Sequence, residues 1–104
     1  MPFQQLTPRP FNSRAIQMYA PMASGVYGIS SAREWVYIGE SDDIQMALQE
    51  LLEDGGEWMM KRSPTGFVFE VCEGARRVSR QERLVLEYGP YCNRQPSPGR
   101  RAGQ

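Results

Sequence analysis

Gly25-Val26-Tyr27-Gly28-Ile29 and Trp35-Val36-Tyr37-Ile38-Gly39 are two runs of strand-forming residues separated by Ser30-Ser31-Ala32-Arg33-Glu34. Aromatic and β-branched residues favour extended backbone, and a short polar break between two such runs marks a hairpin. Two antiparallel strands are therefore expected. Alternation puts Tyr27 on a face with Ile29 and Tyr37 on a face with Trp35, so each tyrosine can present its hydroxyl at one end of an apolar wall.

Beyond Gly39, the segment from Glu40 to Gly56 has the pattern of a capped amphipathic helix. Ile44, Ala47, Leu48, Leu51 and Leu52 recur at helical spacing, and Gly55 ends the pattern. Asp42 is expected to accept from the free amides of the first turn, with Gln45 as the fourth member of a capping box. Ala47 then faces inward.

In this order, hairpin followed by helix, the chain resembles the GIY-YIG endonuclease family. The resemblance continues through a third strand at Gly66-Phe67-Val68-Phe69-Glu70-Val71, a helix over Arg80 to Tyr88, and a closing Pro90-Tyr91-Cys92-Asn93. It spans roughly residues 25 to 93. It implies an α/β (α+β) fold in which a small three-stranded antiparallel sheet is flanked by helices. It also implies a site made by the two signature tyrosines, a helical arginine, a glutamate that holds one divalent metal, typically magnesium, and a late asparagine. Tyr27, Tyr37 and Asn93 stand at three of these positions.

Hydrolysis of a phosphodiester needs a cation to offset charge in the transition state and a carboxylate to anchor a hard metal. The chain departs from the family at both. The arginine position, eight residues beyond Gly39, is Ala47, and no lysine or arginine occurs from Glu34 to Glu57. The glutamate position, counted back from Pro90 with Leu84-Val85 matched to the family's apolar pair, is Gln81, a poor ligand for a metal. Glu82 lies one residue along, which on a helix is a rotation of about 100°. Ser79-Arg80-Gln81-Glu82 also reads as a capping box, so capping is the structural role expected of Glu82.

The surviving residues have structural readings as well. Each tyrosine packs a large ring in a small sheet, and Asn93 can close a turn through its own side chain. The chain has no histidine, which excludes a histidine-based triad or zinc site. Ser24, Ser30 and Ser41 therefore lack an activating partner, and none sits in a nucleophile elbow. Cys72 and Cys92 have no paired spacing and are expected to pack as small apolar groups.

The 104 residues form one domain. Residues 1–24 are expected as an N-terminal arm, 25–93 as the GIY-YIG-like domain and 94–104 as a flexible basic tail. In the arm, Ile16, Met18 and Tyr19 can pack as an extended stretch or a short turn before Ala20-Pro21. Prolines 2, 8, 10 and 21 interrupt any signal-peptide pattern, and no long apolar run occurs, so a soluble cytoplasmic protein without membrane contact is expected.

A net charge of zero conceals a split. Glu34, Glu40, Asp42, Asp43, Glu50, Glu53, Asp54 and Glu57 are acidic with no base among them, whereas Arg76, Arg77, Arg80, Arg83, Arg94, Arg100 and Arg101 face only Glu82 and Glu87. The acidic helix would repel a polyanion from the groove that a nuclease of this family uses. Arg76, Arg77, Arg80 and Arg83 are the candidates for nucleic-acid contact, unless they pair with the acidic helix. Trp58-Met59-Met60 either caps the core or, with the acidic helix, offers a patch to a protein partner.

The expected function is a binding or accessory module for nucleic acid or protein, without catalysis and without a cofactor. One alternative is a divergent magnesium-dependent DNA endonuclease in which Glu82 holds the metal beside Tyr27 and Tyr37. Another is a purely protein-binding module.

Overall fold

The computed structural model describes residues 3, 7–55 and 61–94. Trp58-Met59-Met60 and residues 95–104 lie outside the described residues, and so do the expectations placed on them. The hairpin forms as β2, Gly25–Ser30, and β3, Trp35–Ser41. β4, Gly66–Val71, pairs antiparallel with the other side of β2, with Tyr27 opposite Phe69 and Ile29 opposite Phe67. β2 is thus the central strand, and all six of its residues are buried.

The sheet has four strands, one more than expected. β1 is the pair Arg9–Pro10, which adds to β4 through Arg9 opposite Phe67 and Pro10 opposite Gly66, giving the order β1-β4-β2-β3. A two-residue strand carries no alternation that a sequence could display. Pro10 is tolerated because it sits at an edge. The chain then turns into α1, Ser13–Tyr19, capped by the Asn12 carboxamide, which accepts from the Ala15 amide at 2.8 Å. The segment expected as an extended stretch or short turn is therefore a helix, and it buries Ala15 and Ile16.

α2, Ile44–Asp54, follows β3, and α3, Gly74–Tyr88, follows β4. Helices α1 and α2 cover one face of the sheet. There Ile16, Tyr27, Ile29, Val36, Ile44, Leu48 and Phe67 form the larger core cluster. The opposite face is covered by α3, where Val26, Ile38, Val68 and Leu84 pack with Phe3. Full burial of side chains of this size stabilises the fold by about 1.5–3 kcal/mol each relative to exposure. Phe3, Trp35 and Tyr88 stack on this second face, with ring centroids 4.7–5.8 Å apart.

Three local expectations are corrected. Tyr37 and Trp35 do not share a face: the register jumps from Ile29 opposite Tyr37 to Ser30 opposite Trp35, so Val36 is an extra residue in a β-bulge. The bulge turns Trp35 toward Phe3 and Tyr88, while Tyr37 stays with Tyr27. The cap of α2 is Asp43 rather than Asp42, its carboxylate accepting from the Met46 amide at 3.0 Å. Ser41 Oγ bonds both the amide and the carbonyl of Asp43 and presets that turn. Gln45 instead donates to the Ala20 carbonyl at 2.9 Å and so ties α2 to the end of α1.

Finally, α3 begins at Gly74, so Ser79-Arg80-Gln81-Glu82 lies inside a helix and caps nothing. Ser79 Oγ donates to the Arg76 carbonyl within the helix. The helix ends at Gly89, whose left-handed backbone (φ 57°) suits a residue without a side chain. Pro90 and a last turn, α4, Tyr91–Arg94, bring Asn93 back to the sheet.

Candidate functional site

Tyr27 leaves the middle of β2 and lays its ring across β3 at Gly39. A Cβ at Gly39 would stand 2.5 Å from the Tyr27 hydroxyl and 2.6 Å from Cζ, so only glycine admits the ring. Beyond it opens a cavity of about 440 Å³ lined by Tyr27, Glu40, Ser41, Ala47, Glu50, Leu51 and Asp54. The Tyr37 ring lies 6.3 Å from that of Tyr27 on the same side of the sheet. Tyr27 is 5% exposed. Its hydroxyl is held well above the usual tyrosine value, first by burial and then by Tyr37, Glu40 and Glu50, so it stays protonated.

Ala47 thus lines the cavity, as its inward position on α2 predicts, and no basic side chain does. The three acids of the lining went unnoticed as a group in the sequence. Their signal was the acidic run itself, which the sequence ties to the groove as a whole and not to three particular carboxylates. Glu40 is paired: Arg77 Nε of α3 reaches its carboxylate at 2.8 Å and Arg77 Nη1 donates to Ser24 Oγ at 3.1 Å. Among the described residues, Glu50 and Asp54 form no ion pair.

Gln81 and Asn93 meet elsewhere, at the outer edge of β3. The Asn93 carboxamide accepts from the Ile38 amide at 2.7 Å and donates to the Ile38 carbonyl at 3.0 Å, taking the place of a neighbouring strand. Gln81 Nε2 donates to the same carbonyl at 3.1 Å. Both amides therefore satisfy backbone that an edge strand would otherwise leave open. Glu82 is exposed and borders a different depression, with Gln81, Val85 and Leu86, away from Tyr27.

Of the basic residues, Arg80 forms a two-pronged ion pair with Glu70, both contacts at 2.8 Å and both side chains largely buried. Arg77 is held by Glu40, and Arg76 and Arg83 are exposed. The partners of Arg77 and Arg80 are thus glutamates of the sheet rather than of α2. Cys72 and Cys92 are not joined in a disulfide, and burial pushes both upward in pKa. Among the described residues no three of His, Cys, Asp and Glu converge as metal ligands would, and no helix is long and apolar enough to cross a membrane.

The architecture is that of a GIY-YIG endonuclease domain. The N-terminal domain of UvrC from Thermotoga maritima, in a structure bound to its catalytic magnesium, superposes with a TM-score of 0.64 at 20% identity, over 75% of this chain and 91% of that one. An Asn-to-Ala point mutant of the same domain, bound to its catalytic divalent cation, gives 0.64 at 20% identity, over 75% and 90%. A Tyr-to-Phe mutant gives 0.63 at 20% identity over the same shares. No family model and no curated protein matches the chain.

Proposed function

We propose that this chain is a GIY-YIG-fold domain without a nuclease centre that acts as a binding or accessory module for nucleic acid or protein. The observation that carries the reading is the lining of the Tyr27 cavity: Ala47, with Glu40, Glu50 and Asp54, and no arginine or lysine. A phosphodiester entering there meets carboxylates and finds no cation to offset the charge that builds as water attacks.

The donor set does not fit the single hard cation bound by the UvrC domains. Gln81 offers a neutral amide whose N–H is already given to Ile38, and Glu82 stands outside the cavity. The divergent-nuclease reading needs Glu82 beside Tyr27 and Tyr37, and the geometry does not favour it. For nucleic-acid contact Arg76 and Arg83 are the better candidates, since Arg77 and Arg80 are engaged by glutamates.

The test is incubation with plasmid, single-stranded and branched DNA in magnesium or manganese, with Glu82→Ala and Tyr27→Phe alongside. The folded protein is expected to leave all substrates intact. Cleavage abolished by either substitution overturns the proposal. Nucleic-acid binding, measured in parallel, should weaken steeply with salt if Arg76 and Arg83 contact phosphates.

A further inference from the structure

The Tyr27 hydroxyl is a buried polar group with no hydrogen-bond partner among the described residues, and it borders an acidic cavity. Buried phenol hydroxyls nearly always find a partner, so one without is an opening for a ligand. Glu50 and Asp54 lie one turn apart on α2, line the same cavity and carry no ion pair among the described residues. Three oxygen acceptors therefore surround a space whose floor, Ala47 and Leu51, is apolar.

We propose that this cavity receives the guanidinium of an arginine from a protein partner. The proposal rests on the reading of the site as non-catalytic and names the partner's chemistry. A metal ion is the poorer fit, because among the described residues no three carboxylates converge and a hard cation demands close, convergent oxygens. A guanidinium is broad, planar and weakly hydrated, tolerates an aromatic and apolar floor, and spreads five donors over separated acceptors. Glu40 also lines the cavity, but its charge is already offset by Arg77, so the attraction for the ligand falls to Glu50 and Asp54. The protonated Tyr27 hydroxyl is free to accept.

The experiment is amide and tyrosine-ring NMR on the full chain, titrated with acetyl-Gly-Arg-Gly-amide, its lysine and citrulline counterparts, and magnesium chloride. The arginine peptide is expected to shift Tyr27, Ala47 and Leu51, and to bind more tightly than the other two peptides. Glu50→Gln and Asp54→Asn should each weaken it about tenfold or more. Ala47→Arg, which places a guanidinium in the cavity from within, should abolish it while the spectrum stays folded. The proposal is overturned by an absence of shifts at millimolar peptide, by equal binding of the lysine peptide, by binding that survives all three substitutions, or by magnesium shifting the same residues and displacing the peptide. Failure here with DNA left intact removes this inference alone. DNA cleavage that depends on Tyr27 removes the reading beneath it.

Discussion

Gln81 carries an amide where the family resemblance implies a carboxylate, and the backbone of β3 depends on the difference. Its N–H bonds the Ile38 carbonyl that Asn93 also bonds. A carboxylate at this position would set oxygen against oxygen. Gln81→Glu is expected to destabilise the protein by about 1–3 kcal/mol, the cost of replacing a partner with a repulsive group in a partly buried setting, read as a lower urea midpoint. An unchanged midpoint would show that the side chain can swing away without loss. Asn93 illustrates the other half of the lesson. The sequence marks it as a motif position and as a turn former, while the structure uses it as a one-residue strand along an open edge.

Among the elements, α2 and α3 differ in how well their starts could be read. Asp42 and Asp43 are adjacent and either can cap. The choice fell to Asp43 because Ser41 at the end of β3 bonds its amide and carbonyl and sets the turn. Asp43→Ala should cost about 1 kcal/mol of stability, whereas Asp42→Ala should stay within about 0.5 kcal/mol, as exposed surface changes do. Thermal unfolding of the two variants side by side decides between the caps. α3 starts six residues before Arg80, at Gly74, with no side-chain cap. Its first turns are arginine-rich and lack apolar periodicity. They are helical because Arg77 and Arg80 reach back to Glu40 and Glu70 of the sheet, which are tertiary contacts invisible to a local pattern. The bulge at Val36 is of the same kind, because strict alternation cannot announce the one residue that breaks it.

For the molecule as a whole, the α1 and α2 layer buries Tyr27 against the sheet, at the centre of the strand that touches both neighbours. Burial first, then Tyr37, Glu40 and Glu50, keep its hydroxyl neutral in the folded state above the usual value of about 10. The unfolded chain releases that proton at ordinary tyrosine pH and the folded chain retains it. Above that pH the unfolded state binds fewer protons, so stability is whole below about pH 10 and falls as pH rises. Urea unfolding from about pH 8 to 11 should show this fall, and Tyr27→Phe should flatten it. A slope unchanged by the substitution would mean that another group carries the alkaline loss.

The hairpin, the amphipathic α2, the third long strand and the inward position of Ala47 were determined by the sequence alone, because each rests on local periodicity and turn chemistry. Tertiary structure decided what local pattern cannot encode: the added edge strand at Arg9–Pro10, the bulge that parts Trp35 from Tyr37, the pairing of Arg77 and Arg80 with sheet glutamates, and the separation of Gln81 from the Tyr27 cavity. The site shows the same division. The family resemblance pointed to Tyr27, Tyr37, Ala47, Gln81 and Asn93, but only packing could gather Glu50 and Asp54 around Tyr27 and turn a charged helix face into the wall of a cavity. Distances between residues far apart in the chain are set by which faces are buried together, and burial is a property of the assembled layers.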